Sequence, residues 1–221
     1  RHVLGSRGLG DVYKRQVVGF FTGLSSGAAV TIAQFFGARD DKSANQGLHN
    51  ACALALAAGA LLTVIGIALT PAMLRLMNTP EDIIGDSVIY LRIYFAGIVF
   101  VLIYNMGSAI LRATGDSKRP LYYLIVCCGI NIVLDILFVL GFRMGVTGAA
   151  VATLIAQAVS ALLVILKLMR SRGILSLSPG QIRFHTPMLR SQLRLGLPTG
   201  FESILFAITN IAIQSAVNTF G

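Results

Sequence analysis

The sequence predicts an all-α fold, a polytopic transmembrane helical bundle, and its composition is the first reason. Of its 221 residues, 55% are hydrophobic and only 12% are charged, and the mean hydropathy is +0.77. A soluble domain carries about 25% charged residues, whereas apolar runs here approach the roughly 20 residues that cross a bilayer. The net charge of +9 lies in loops between these runs. That placement is typical of membrane topology and argues against a nucleic-acid partner.

Six apolar segments with polar turns between them are the second reason. Glycine is frequent inside them, as in membrane spans, and no strand-like alternation interrupts them. Thr186 followed by Pro187 is a typical helix start just before the last segment. The predicted segments cover residues 17–38, 47–77, 84–111, 120–142, 145–169 and 192–221.

The domain organisation follows from where these segments and the polar stretches lie. Residues 1–16 resemble a translated sequencing adapter and are predicted to be a non-native leader. The chain stops inside an apolar run, so we expect a fragment. The remainder divides into an N-terminal transmembrane bundle (17–169), a basic linker (170–191) and the first, truncated helix of a second bundle (192–221).

Lysine and arginine predict the orientation of the bundle. Eleven of them fall in alternate loops on one side of the membrane, and three fall on the other side. Positive loops usually remain in the cytoplasm. The loops near residues 39–46, 112–119 and 170–191 are therefore expected to be cytoplasmic.

An acid inside an apolar segment is the main candidate for function. Asp135 lies in the stretch NIVLDILFV, where a charge costs about 2.5–3.5 kcal/mol on insertion scales. Asn131 lies one helical turn earlier on the same face, and Thr153 and Gln157 repeat that spacing on the next segment. Small residues there allow helices to approach closely, so the sequence predicts an oxygen-rich site for Na⁺ or H⁺. The alternative is that Asp135 only hydrogen-bonds between helices or lies near the outer interface.

Other polar residues in the apolar segments carry weaker predictions. Asn210, Gln214 and Asn218 recur every four residues, and they either line a cavity or join helices. Glu202, early in the last segment, has either a near-surface cap or loop role or a role in transport; His49 is assigned no role, and His185 is expected to be solvated. The three cysteines lack metal-ligand spacing and are predicted to be buried small hydrophobes; they are Cys52, Cys127 and Cys128.

Five stretches in a fixed order resemble one transporter family. They are GAAVTIAQFFGARD (27–40), AILRATGDSKRP (109–120), NIVLDILFVLG (131–141), GVTGAAVAT (145–153) and a last one that begins LGLPTGFES (195–203). With these motifs the chain resembles the multidrug and toxic-compound extrusion (MATE) family, nearest to its DinF-like and MepA-like bacterial branch.

The resemblance implies a fold of twelve helices in two six-helix bundles, of which this chain would hold helices two to seven. It also implies a cation site made of Asn131, Asp135, Thr153 and the carbonyl of Ala149, with Tyr90 near the cavity. The first three are the candidate Na⁺ ligands. The family's second aspartate lies on its first helix, outside this sequence.

The expected function is a secondary active antiporter that exports cationic organic compounds in exchange for Na⁺ or H⁺ by alternating access. We expect a monomer in the bacterial inner membrane, with the lipid bilayer and small cationic substrates as partners and no cofactor beyond the coupling ion. The alternatives are a flippase for lipid-linked oligosaccharides, a structural membrane subunit without transport, and a membrane enzyme. No catalytic motif supports the enzyme.

Overall fold

The computed structural model describes the backbone of residue 19 and of residues 22–76, 81–171 and 176–220. These residues are almost entirely helical, and none of them forms a strand. The first helix, α1, covers residues 22–37. The others are α2 (Asp41–Leu76), α3 (Glu81–Ala113), α4 (Lys118–Asp135), α5 (Gly145–Arg170) and α6 (Thr186–Phe220). The predicted all-α membrane bundle is therefore confirmed in its fold class.

Hydropathy identified the helices better than it identified their ends. Four of the described helices have stretches long and apolar enough to cross a membrane. α2 begins at Asp41 and α6 at Thr186, six residues before the predicted starts at 47 and 192. Helices continue beyond the hydrocarbon into polar turns, which an apolar pattern does not record. The last part of the predicted linker, 186–191, is thus helix, and the predicted leader at 1–16 lies outside the described residues.

α3 is the centre of the bundle, because it packs against both α2 and α5, while α4 packs on α5. Glycines permit the close approach: a Cβ at Gly59 would lie 2.8 Å from Val99 Cγ2, and one at Gly107 would collide with Val164. Hydrogen bonds add to the contact, since the Thr63 hydroxyl donates to the Phe95 carbonyl at 2.9 Å. Most core side chains come from α2, α3 and α5; they include Leu48, Ala51, Ile98, Leu102, Met106, Ile110, Val164 and Leu168.

A glycine seam joins α1 to α6. A Cβ on Gly23 would come within 2.6 Å of the Gly200 Cα, and one on Gly27 would collide with Gly196. These residues are four apart on each helix, the small-xxx-small pattern that lets two membrane helices touch backbone to backbone. α6 therefore begins against the first bundle.

The α1–α2 and α3–α4 turns are built alike. In the first, the Asp40 N–H donates to the Phe35 carbonyl and the Arg39 N–H to that of Phe36. In the second, Asp116 and Gly115 make the matching bonds to Leu111 and Arg112. This is the Schellman helix ending, and its left-handed position holds Gly115 (φ 91°) in one turn and Arg39 (φ 57°) in the other. An aspartate then caps the next helix in both, with Oδ1 accepting from the Ser43 N–H at 3.1 Å or the Arg119 N–H at 3.3 Å.

α4 ends in a wider turn that the sequence did not predict. Residues Ile136–Gly141 form a π-helix directly after Asp135, with the Phe142 N–H donating to the Leu137 carbonyl five residues back. π-helical turns are rare and frequently lie at functional sites. The predicted segment 120–142 is one continuous apolar run, but its helix changes from α to π directly after Asp135.

The cysteines only partly match their prediction as buried groups. Cys52 and Cys127 are half-buried, and Cys128 is exposed on α4, so the prediction is wrong for Cys128. The most apolar stretch of the span formed by α4 and the π-helical turn has no buried residue. Within the described part of the chain this helix packs mainly on α5, and most of its apolar surface is exposed.

Candidate functional site

Asp135 is the last residue of α4, where the α-helix gives way to the π-helical turn. Its side chain is half-buried. One carboxylate oxygen, Oδ1, is fully buried and accepts no hydrogen bond from the described residues. A buried acceptor without a donor is costly and uncommon in native structures. The oxygen is thus suited to a partner outside the protein chain, such as a proton or a cation.

Asn131, Thr153 and Ala149 form a short hydrogen-bonded chain between α4 and α5. The Asn131 side-chain N–H donates to the Thr153 hydroxyl oxygen at 3.4 Å. The Thr153 hydroxyl in turn donates to the Ala149 carbonyl at 2.9 Å. The structure thereby brings together three of the four predicted site residues, and Asp135 lies one helical turn from Asn131 on the same helix face.

These hydrogen bonds occupy donor groups of the cluster and leave acceptor oxygens without a donor among the described residues. The Thr153 proton is committed to the Ala149 carbonyl, and the Asn131 amide donor is turned toward Thr153. The Asn131 amide oxygen and the Asp135 carboxylate receive no donor from the described residues. A cluster rich in acceptor oxygens and poor in free donors is what a hard cation requires.

The chemistry of this cluster suits a monovalent cation better than a transition metal. Within the described part of the chain, no three histidine, cysteine, aspartate or glutamate side chains lie close enough to share a metal. The available ligands are one carboxylate, one amide, one hydroxyl and one backbone carbonyl. Their single formal charge and hard oxygen character match Na⁺ or a proton.

Tyr90 and Gln157 lie on the other side of Thr153, between α3 and α5. Together with Thr153 they line a narrow gap of about 10 Å³, too small to admit more than about one water molecule. The Gln157 side-chain oxygen is packed against Gly97, where an added Cβ would collide with it. Gln157 therefore depends on a glycine in α3 for its position.

The predicted cavity-lining residues of α6 are placed differently. Asn210, in the second half of the helix, is exposed, and so is Glu202 near its middle. The side chains of Gln214 and Asn218 lie outside the described residues. Among the described residues, no hydrogen bond joins Asn210 to Thr153 or Asp135. The structure therefore brings the α4–α5 residues of the predicted site together and does not add Asn210 to them.

Gly148 shapes the cluster from the α5 side. A Cβ at this position would lie 3.0 Å from the Phe138 Cβ and 3.2 Å from the Phe138 carbonyl carbon. Phe138 belongs to the π-helical turn, so a larger residue at position 148 would press against this turn. In the sequence, Gly148 belongs to the stripe of small residues on this segment. Three other members of that stripe, Ala152, Ala156 and Ser160, are buried.

A second polar cluster, which sequence reasoning missed, ties the start of α2 to α6. We call it the α2–α6 network. The Asn50 amide donates to Gln192 Oε1 at 2.8 Å, and Gln192 Nε2 donates to the Gly47 carbonyl at 2.8 Å. The His185 backbone N–H donates to Asn50 Oδ1 at 2.9 Å. The prediction of a merely solvated His185 is wrong, because this residue is half-buried and hydrogen-bonded.

His49, to which the sequence assigned no role, extends the α2–α6 network. It is 2% exposed, its Nε2 accepts the Ser178 N–H at 3.0 Å, and its Nδ1 lies 2.8 Å from the Asn45 carbonyl. These partners fix the neutral tautomer with the proton on Nδ1. The Asn45 amide also donates to the Ser176 carbonyl at 3.2 Å. The polar stretch before α6 is thus bound to α2 through side chains.

Comparison with known proteins places this geometry in a family. The MatE family model matches residues 15–137. Among curated proteins, the chain is similar to the probable multidrug resistance proteins YoeA and YpnP of Bacillus subtilis. It is 34% identical to YoeA over 93% of this chain and 46% of that protein, and 31% identical to YpnP over 99% and 48%. The multidrug export protein MepA of Staphylococcus aureus also matches, at 22% identity over 88% of this chain and 43% of that protein.

Solved structures agree with these sequence relatives. An outward-facing multidrug resistance MATE transporter superposes with a TM-score of 0.87 at 27% identity, covering 99% of this chain and 49% of that one. An inward-facing structure gives 0.83 at 27% identity, covering 94% and 47%. The chain spans about half the length of the relatives it matches. Helices of spanning length and these bacterial relatives identify a multi-pass membrane protein, and the chain belongs to the MATE family of transporters.

Proposed function

We propose that the protein containing this chain is a secondary active exporter of cationic organic compounds that is driven by Na⁺ or H⁺. The observation that carries the proposal is the buried, unpartnered Oδ1 of Asp135. It stands beside the Asn131–Thr153–Ala149 chain. The names of the relatives support the exported class, since YoeA and YpnP are described as probable multidrug resistance proteins.

In this mechanism the coupling cation is a substrate of the α4–α5 cluster. When it binds, Asp135 supplies the negative charge, and Asn131, Thr153 and the Ala149 carbonyl supply neutral oxygens. Binding would neutralise a buried carboxylate and so remove the cost of holding it away from water. The free energy released can favour one packing of the helices over another, and reciprocity requires that drug and ion bias the two states in opposite directions.

Alternating access is supported by the relatives rather than by this chain alone. Similar MATE transporters have been solved in inward-facing and outward-facing conformations. In this chain the π-helical turn after Asp135 is the element we expect to respond to ion binding, because its packing against Gly148 directly adjoins the cluster.

The rest of the expected function forms part of the same proposal. We place the protein in the bacterial inner membrane as a monomer, surrounded by lipid, with the loops near 39–46, 112–119 and 170–191 in the cytoplasm. The arrangement does not favour a flippase for an anionic lipid-linked sugar, because Arg92, within the apolar stretch of α3, is exposed rather than turned into the bundle.

The test is Asp135→Asn in the full-length protein reconstituted in liposomes. Uptake or efflux of a lipophilic organic cation is measured under an imposed Na⁺ gradient and, separately, under a pH gradient. Ion-driven transport should fall by at least about tenfold, which corresponds to about 1.4 kcal/mol. Whichever gradient drives the wild-type protein identifies the coupling ion.

Asp86→Asn is the matched control, because Asp86 is an exposed acid on α3. It should transport like the wild type. If Asp135→Asn retains full ion-driven transport while folding normally, the cation-site assignment is wrong.

A further inference from the structure

A cavity lies at the end of the bundle where α2 begins, far along the chain from Asp135. Its volume is about 360 Å³, within the range of small-molecule sites. One wall is the first two turns of α2, and the other is the stretch that precedes α6. Its lining includes Lys42, Gln46, Gln181 and Arg183.

The walls of this cavity are held by the bonds of the α2–α6 network. His49 and Asn45 line it, and both are hydrogen-bonded across to residues 176 and 178. His185 lines it as well, anchored through its backbone to Asn50. Because these groups are already satisfied, they fix the shape of the cavity instead of serving as ligands.

The remaining lining groups are donors without a hydrogen-bond partner among the described residues. No hydrogen bond or ion pair among the described residues uses the Lys42 ammonium or the side-chain amides of Gln46 and Gln181. Arg183 uses only its Nε, which donates to His185 Nε2 at 3.4 Å, so its terminal N–H groups are free.

The charge in the cavity is of one sign. Lys42 and Arg183 are cationic, and no carboxylate of the described residues lines the cavity. Two acids precede Lys42 directly along the chain: Asp41 in the first turn of α2, and Asp40, whose carboxylate caps Ser43 and interacts electrostatically with Lys42. The start of α2 adds the positive end of its helix dipole. Two cations, two free amides and a helix start together select an anion with several oxygens.

We propose that this cavity binds a phosphate group. Arg183 and Lys42 would neutralise its charge, and the amides of Gln46 and Gln181 would donate to its remaining oxygens. The volume exceeds what a bare phosphate needs, so it also accommodates a phosphate that carries a small organic group. An anionic lipid headgroup and free phosphate share this chemistry. The inference does not depend on the ion-coupling role of Asp135.

The test uses the purified full-length protein in a neutral detergent, with two probes. Inorganic phosphate is titrated by calorimetry, and phosphatidylglycerol is offered in mixed micelles and counted by native mass spectrometry. Two variants remove a charge, Lys42→Gln and Arg183→Gln. A third, Gln181→Glu, places a carboxylate in the cavity with almost no change in volume at an exposed residue that tolerates it.

Each variant should weaken binding of the successful probe by about tenfold or more, the usual effect of losing a charged hydrogen bond. The matched control is Lys118→Gln, because Lys118 is exposed and does not line this cavity. It should leave binding unchanged. If the wild type binds inorganic phosphate and the three variants lose this binding, the ligand is a soluble phosphate. If the wild type binds phosphatidylglycerol but not inorganic phosphate, and the variants lose this binding, the ligand is a lipid headgroup. If neither probe binds, or if Lys118→Gln weakens binding as much as Lys42→Gln, the proposal is wrong.

Discussion

The two polar clusters of this bundle differ in how completely their hydrogen bonds are satisfied. In the α2–α6 network, Asn50 and Gln192 are both 0% exposed, and each uses its donor and its acceptor. In the α4–α5 cluster, the Asp135 Oδ1 and the Asn131 oxygen have no donor among the described residues. A closed network stabilises one packing, whereas unpaired acceptors keep a site open for a ligand. The two clusters therefore differ in how far their hydrogen bonds are satisfied, and the α4–α5 cluster is the candidate ion site.

The largest expected effect comes from breaking the closed network. Asn50→Leu leaves Gln192 Oε1 and the His185 N–H without a partner in a buried place. We expect the free energy of unfolding to fall by about 3 kcal/mol, the cost of two unsatisfied polar groups. The measurement is an SDS titration of the chain in mixed micelles, followed by circular dichroism. Asn210→Leu, at an exposed asparagine, should change little, and an Asn50→Leu protein of wild-type stability would contradict the structural role of the network.

The same kind of substitution in the α4–α5 cluster should act in the opposite direction. Asp135→Leu removes a buried acceptor that nothing satisfies, so we expect the chain to be about 1 kcal/mol more stable. Cation binding should be lost at the same time, which radioactive Na⁺ binding can measure. A loss of stability as large as that of Asn50→Leu would mean that Asp135 is a structural residue and that the contrast between the clusters is false.

The smallest effect is expected at a polar group outside both clusters. Hydrogen bonds from the side chain and backbone of Ser43 lower the pKa of Asp40 below its ordinary value of 3.8. A lowered pKa means that the stabilisation is present above pH 3.8 and is lost as the pH falls through the lower folded-state pKa. Unfolding midpoints measured across this range should decline slightly less in Asp40→Asn than in the wild type. Identical declines would show that this cap contributes nothing.

Local patterns were enough to identify the helices and part of the site. The spacing of Asn131 and Asp135, and of Thr153 with its small neighbours, placed these residues on facing surfaces of consecutive helices. Consecutive membrane helices joined by a short turn must run antiparallel, so the Asn131–Thr153 contact was predictable. The ligand role of Asp135 remains a prediction.

Two other features of the fold were not predicted: one had a pattern in the sequence that was overlooked, and the other had no such pattern. The glycine seam of α1 and α6 was visible as glycines four residues apart, at 19, 23 and 27 and again at 196 and 200. The π-helical turn after Asp135 had no such pattern, because ILFVLG reads as ordinary apolar helix. The turn packs closely against Gly148 of the next helix, a contact that the local sequence of α4 does not reveal.

The sequence by itself determined that this protein is a helical membrane bundle and which acid lies within it, since hydropathy and helical spacing act over a few residues. Only the tertiary structure decided that Asn50 pairs with Gln192, 142 positions away, and that the stretch before α6 closes over a cationic cavity. Such pairings depend on how the helices pack in three dimensions. Packing depends on the shapes of the helix surfaces and on the hydrogen bonds of buried polar groups. Neither can be inferred from short stretches of sequence.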